Sequence, residues 1–425
     1  MILIFSVFFV PPFFLPIVTG LIFAFGIFAV FRRGYHVTTP LNKFVWALLA
    51  LTLVSALVNW TDPISTAMFL GFHLLPLAGF WAVLQFGVTD LSTKRTVRWM
   101  GLFTLVQLPV LGYQWYCAGA GGLANISHDL FAGTIARPEI STHTFGIVMM
   151  LVMVVSFSLF RAVRNGFYLC VALVSFLGWI LSATGHSYVA FMIGFFILMV
   201  YRHKHRLLRM SFRVLFVVAV VCLAVIYTRD AIFQIIKVEF YQGEVLRSDK
   251  FNAYMRTLFF SSSFREIPDW GWAIGVGPGM YTSRVALTKT GTYLRGRTYS
   301  FFPFPELSPY TDAALTYHSK SSIGNAPWSS FISLWGEVGP GGVVLILLIF
   351  GGVFRMGDQI RKSTADPFFK GISEGLQFCS ILYFLIMGVE NWLEFPKVAT
   401  LFWILAALVY CHGRSITVSR IRSAA

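Results

Sequence analysis

Apolar residues in this chain come in long unbroken runs, with polar residues in short clusters between them. A helix that crosses a membrane needs about 20 mostly apolar residues. By that rule spans fall at about 43–60, 65–88, 99–117, 140–160, 166–182, 187–201, 212–228, 331–355, 371–391 and 397–412. Residues 1–31 are apolar throughout but broken by Pro11-Pro12, which predicts one span preceded by a kinked or interfacial piece. The pattern predicts an all-α, polytopic membrane helix bundle of about 11–12 spans. One interval breaks the rhythm. Residues 229–330 are polar and mix aromatics with both charge signs, so they read as a large loop that packs rather than stays disordered. The chain therefore divides into N-terminal transmembrane helices (1–228), the loop (229–330), and C-terminal helices with a tail (331–425).

Composition agrees with the pattern. Of the 425 residues 57% are hydrophobic and 12% charged, a balance that a membrane bundle needs and a soluble domain does not tolerate. The formal net charge of +15 suggests nucleic acid at first sight. The basic residues, however, sit in short clusters at the ends of apolar runs, such as Lys94, Arg95 and Arg98, or Arg202 to Arg206 with Arg209 and Arg213. That is the positive-inside signature, so nucleic acid is not an expected partner. It places every basic cluster and the C-terminus on the cytoplasmic side of the membrane, with the large loop on the opposite side. The first thirty residues lack a basic n-region and a small-residue cleavage site, and read as a retained span. The cysteines, Cys117, Cys170, Cys222, Cys379 and Cys411, all lie in or beside apolar runs without metal-ligand spacing. Neither a disulfide framework nor a zinc site is expected.

Three stretches offer chemistry. The first is Arg137-Pro-Glu-Ile-Ser-Thr-His143 at the mouth of the fifth full span. A guanidinium beside a helix start suits phosphate. Read alone, the stretch fits a snorkelling Arg and a capping His better. The second is the loop, where Arg256, Arg265, Arg284, Arg295 and Arg297 form a candidate guanidinium cluster around the turn Gly275-Val-Gly-Pro-Gly279. That turn is not a nucleotide loop, because no Lys-Ser/Thr follows it. Spacing does not separate the cluster from a surface facing headgroups. The third is the re-entry segment Pro327-Trp328-Ser-Ser-Phe to Glu337-Val-Gly339-Pro-Gly-Gly342. A carboxylate inside an apolar run is costly without a partner. Glu337 thus orients an Arg, accepts a proton, or is a packing residue satisfied by nearby backbone. Glu390 and Glu394 read as interface residues.

At these same residues the sequence resembles the bacterial O-antigen ligase and polymerase superfamily, multi-span proteins with one large periplasmic loop in the C-terminal half. RPEISTHTFGIVMML resembles that family's Arg followed by a His-Pro-Asn-like helix start, here at His143. IGVGPGMY resembles its Gly-Val-Gly-Pro-Gly turn, with Arg256 as the nearest match to the loop's leading Arg. PWSSFISLWGEVGPGG resembles the family's Pro-His-Asn, Glu-x-Gly-x-x-Gly segment through Glu337, Gly339 and Gly342. The ligase His and Asn positions are held by Trp328 and Ser329, and His318 stands ten residues before Trp328. The family's Ser-Arg turn between two middle spans is replaced by Thr184-Gly185, with His186 following. These departures point to polymerase rather than ligase.

The resemblance implies transfer of oligosaccharide units carried on undecaprenyl diphosphate, with no metal or other cofactor. Arg137 and Arg256 would hold the diphosphate, with His143, Arg265, Arg284 and Trp328 as further substrate-binding candidates. His318 or Glu337 would take the acceptor proton. Membrane lipids, the lipid-linked oligosaccharide, and a chain-length regulator or export complex are the candidate partners. The rivals from other classes are a flippase, which needs charged or broken helices near mid-membrane, and a non-catalytic envelope subunit.

Overall fold

In the computed structural model, the described residues are 1–11, 14–33, 37–120, 131–135, 142–182, 184–203, 271–281, 283, 285, 329–389 and 391–424. Among them there are helices and turns and no strands. In chain order the helices are α1 (Ile2–Phe9), α2 (Leu15–Arg33), α3 (Asn42–Val58), α4 (Pro63–Phe86), α5 (Asp90–Leu105), α6 (Gln107–Ala120), α7 (Thr142–Val163), α8 (Gly166–Leu181) and α9 (Gly185–His203). After these come the single turn α10 (Gly271–Ile274), α11 (Ser330–Val338), α12 (Pro340–Ser363), α13 (Pro367–Met387), a 3-10 turn (Trp392–Glu394) and α14 (Pro396–Ala424).

Local chemistry sets the helix starts. Asp62 and Asp366 each precede a proline and accept the amide two or three residues on, Ser65 N at 2.8 Å and Phe368 N at 2.8 Å. Asn165 does the same for Phe167 N at 2.9 Å. Five helices contain stretches long and apolar enough to cross a membrane: Leu15–Arg32, Pro63–Phe86, Thr142–Val163, Pro340–Ser363 and Pro396–Ile416. Shorter apolar helices run over Asn42–Val58, Gly166–Leu181 and His186–Arg202. α2 leaves Phe25 and Phe28 62% and 64% exposed, an apolar face that calls for hydrocarbon rather than water around it. The arrangement is that of a multi-pass membrane protein.

Two expected boundaries move. Lys94, Arg95 and Arg98 are not in a loop but inside α5, because the Thr89 hydroxyl caps the chain at Ser92 N and a helix starts at Asp90. The expected span 331–355 is split at Gly339 into the short α11 and the longer α12, with Pro340 opening the second helix. The expected span 212–228 and most of the large loop lie outside the described residues.

α7 is the central post, buried along nearly its whole length and enclosed chiefly by α8 and α13. α13 comes close enough that a Cβ at Gly375 would sit 2.8 Å from the Val155 Cα. The bundle has two chemically distinct ends. At one, basic residues meet acids: Lys94 with Asp366 at 2.7 Å, Arg161 and Arg202 with Glu374 at 3.1 and 2.5 Å, and Arg361 with Asp358 at 2.8 Å. Burial alone would push the Asp366 carboxyl up, but the Lys94 ammonium and the Phe368 amide bring it below the usual carboxylate range. At the other end lie the turn residues 59–62, 131–135, 184–187, 275–281 and 391–397, joined through hydrogen bonds and ring contacts.

The α7–α13 contact is a sharp test of this packing. Gly375→Leu is expected to destabilise the protein by about 1–3 kcal/mol through overpacking. Gly20→Ala, at a position with nothing within 4 Å, should be near neutral. Thermal unfolding of the detergent-solubilised variants reads the difference.

Candidate functional site

At the turn-bearing end, two segments far apart in sequence are built into one unit. Gly275, Gly277 and Gly279 have φ of 75°, 109° and 72°, a left-handed backbone that a side chain would strain. This conformation folds the chain back onto the end of α11. Val276 N donates to the Gly336 carbonyl at 2.7 Å and Gly277 N to the Glu337 carbonyl at 3.1 Å. Gly336 faces the Tyr281 ring so closely that a Cβ there would lie inside van der Waals contact of it. α3 closes the unit from the side: Asn59 Nδ2 donates to the Gly275 carbonyl at 3.1 Å, and Ser55 Oγ to the Glu337 carbonyl at 2.8 Å.

Glu337 holds this unit with its side chain. The carboxylate is 0% exposed and accepts three backbone amides: Gly279 N at 2.6 Å, Ser283 N at 3.0 Å and Tyr281 N at 3.2 Å. A buried carboxylate so occupied is satisfied by backbone. Of the roles considered for Glu337 from the sequence, this geometry matches that of a packing residue satisfied by nearby backbone, one that anchors Gly279, Tyr281 and Ser283 to the end of α11. The particular partners, main-chain amides 54 to 58 residues away, are not identified by side-chain types in the sequence.

A second constellation lies beside the first. His143, in the first turn of α7, has its ring 5.4 Å from that of His186 at the start of α9, and His186 lies 6.0 Å from the Trp392 ring in a stacked orientation. The Trp392–Glu394 turn is tied to α11, the helix that carries Glu337: Leu393 N donates to Ser330 Oγ at 3.1 Å, and Asn391 Nδ2 to Ser333 Oγ at 3.4 Å. The two constellations thus share one short helix.

Three residues near this second group are not among the expected site residues. Glu394 is not an interface residue but fully buried, its Oε1 3.3 Å from His73 Nε2. His73 Nδ1 faces the Phe69 carbonyl at 3.0 Å, so that nitrogen carries the hydrogen. Lys397, 1% exposed, donates to the carbonyl of Ile135, two residues before Arg137 in the chain. A signal for His73 is present in the sequence, since it is a polar residue inside an apolar run.

Of the other expected site residues, Arg137, Arg256, Arg265, Arg284, Arg295, Arg297, His318 and Trp328 lie outside the described residues, as does Glu390. Ser329 caps α11 by accepting Phe331 N at 3.2 Å and donates to the Met387 carbonyl at 3.3 Å. Among the described residues no group of three or more His, Cys, Asp or Glu side chains is placed to hold a metal ion. Comparison with protein-family models gave no match, and comparison with curated proteins gave none either.

The anchoring role of Glu337 has a direct consequence. Glu337→Ala leaves three buried amides without an acceptor, each costing about 1–3 kcal/mol. Ser55→Ala removes a single hydrogen bond, typically about 1 kcal/mol. Thermal unfolding should therefore show a clearly larger loss for Glu337→Ala than for Ser55→Ala, and equal losses would contradict the anchor.

Proposed function

We propose that this chain is an integral-membrane glycosyltransferase that polymerises oligosaccharide units carried on undecaprenyl diphosphate, at the periplasmic face of a bacterial inner membrane. The observation that carries the reading is the joining of the GVGPGMY turn to the GEVGPGG segment through Glu337. These are two of the stretches on which the resemblance to O-antigen polymerases and ligases rests. Their meeting gives the large loop a fixed attachment to the bundle, which an enzyme working at the membrane surface needs. The placement of arginine and lysine pairs at the opposite end of the bundle supports a cytoplasmic position for that end.

In this reading the acceptor's hydroxyl oxygen attacks C1 of the donor sugar. The C1–O bond to the diphosphate breaks, and the lipid diphosphate leaves with the bonding electrons. Arg137 and Arg256 neutralise its growing charge, and electrostatic stabilisation of this kind usually contributes most to catalysis. His318 receives the hydroxyl proton, and Glu337 holds the turn. Ser329 as a helix cap supports polymerase over ligase, since the position of the ligase Asn is given to local structure.

Strains carrying Arg137→Ala or Arg256→Ala are expected to lose polymer by about 100-fold or more while keeping normal protein levels, as removal of one charge-stabilising donor typically does. Polymer yield and length are read on a gel. Full-length polymer at wild-type levels in both strains would overturn the assignment.

A further inference from the structure

Lys397 is the second residue of α14, directly after Pro396. Its ammonium donates to the neutral Ile135 carbonyl, and none of the described carboxylates pairs with it. Three features of the placement work against a lone positive charge. Burial takes water away from the ammonium. The first turn of a helix carries partial positive charge of its own. A single carbonyl occupies one of three donor hydrogens. The largely buried cations at the opposite end are each matched, Arg202 to Glu374 and Arg361 to Asp358. Among the described lysines and arginines, Lys397 is the one at the turn-bearing end, five residues after Trp392 in the chain.

A buried ammonium in that position is balanced once an anion reaches it, because a paired buried charge costs far less than a single one. Phosphate oxygens suit it: an ammonium is a compact point charge with rotatable donors, well matched to phosphate. We propose that Lys397 is the cationic group of an anion site that takes a phosphate or diphosphate group. The anion site stands on burial and charge alone, whereas the choice of a lipid-borne diphosphate as its natural ligand rests on the function proposed above.

The test uses the full-length protein in nanodiscs of neutral lipid, with thermal unfolding measured against sodium pyrophosphate and, separately, farnesyl diphosphate, with farnesol as the apolar control. A ligand that binds the folded state raises its unfolding temperature. The expected result is stabilisation that farnesol does not reproduce, with apparent affinity weakened about tenfold or more in Lys397→Gln and largely retained in Lys397→Arg. A response to both probes marks the anion itself as the ligand, and a response to farnesyl diphosphate alone marks a lipid-borne one. Absence of stabilisation by either probe, or equal stabilisation of wild type and Lys397→Gln, would overturn the proposal. Lys397-dependent binding in a protein whose Arg137→Ala and Arg256→Ala strains still make polymer would leave the anion site standing and the proposed reaction rejected.

Discussion

One carboxylate organises the turn-bearing end of this molecule. Glu337 sits at the end of a nine-residue helix, sealed from solvent, and gathers the amides of Gly279, Tyr281 and Ser283 onto its two oxygens. Main-chain amides inside a protein must find acceptors. Here a side chain supplies them, so the turn needs no strand or helix of its own. Positive-φ glycines bend the chain to present its amides, Gly336 leaves room for the Tyr281 ring, and α3 adds Ser55 and Asn59 from the flank. Each feature depends on the others. A charge bound by three directional contacts from a single turn also fixes its register, a use of buried polar groups that apolar packing would not match.

The rest of the polar end is ordered around the same short helix. Through Ser330 and Ser333, α11 tethers the turn at 391–394, and that turn sets Trp392 against His186 and Glu394 against His73. α7 passes through the middle of the bundle and delivers His143 to this region. The opposite end is different in kind. Its charges are paired acid to base over short distances, and they tie α5, α7, α9 and α13 together, with a further pair inside α12. Chemistry is thus expected where polar groups are gathered, and anchoring where charges cancel.

Much of the architecture is legible in the amino-acid pattern. Apolar runs give helices of the right length, Asp-Pro pairs at 62–63 and 366–367 mark their starts, and the broken run before Leu15 shows as a short helix followed by a longer one. Basic clusters gather at one end because each sits where an apolar run stops. What the pattern hides is equally specific. The sequence leaves Glu337 open between a reactive carboxylate and a packing residue, because its partners are amides more than fifty residues distant, invisible to any reading of side-chain type. Glu394 reads as an interface residue because it borders a run, yet the 3-10 turn carries it inward against a histidine in the middle of another helix. Lys397 is a third case. A lysine beside a proline at the edge of an apolar run has the pattern of a snorkelling cation, whereas the fold buries this one on a carbonyl.

Backbone hydrogen exchange in the native, membrane-reconstituted protein measures the central contact without changing a residue. If Glu337 clamps the turn, the peptide containing Gly279, Tyr281 and Ser283 should exchange slowly, with protection comparable to that of α11 itself. Exchange of those amides at the rate of an unstructured peptide, while α11 stays protected, would contradict the clamp.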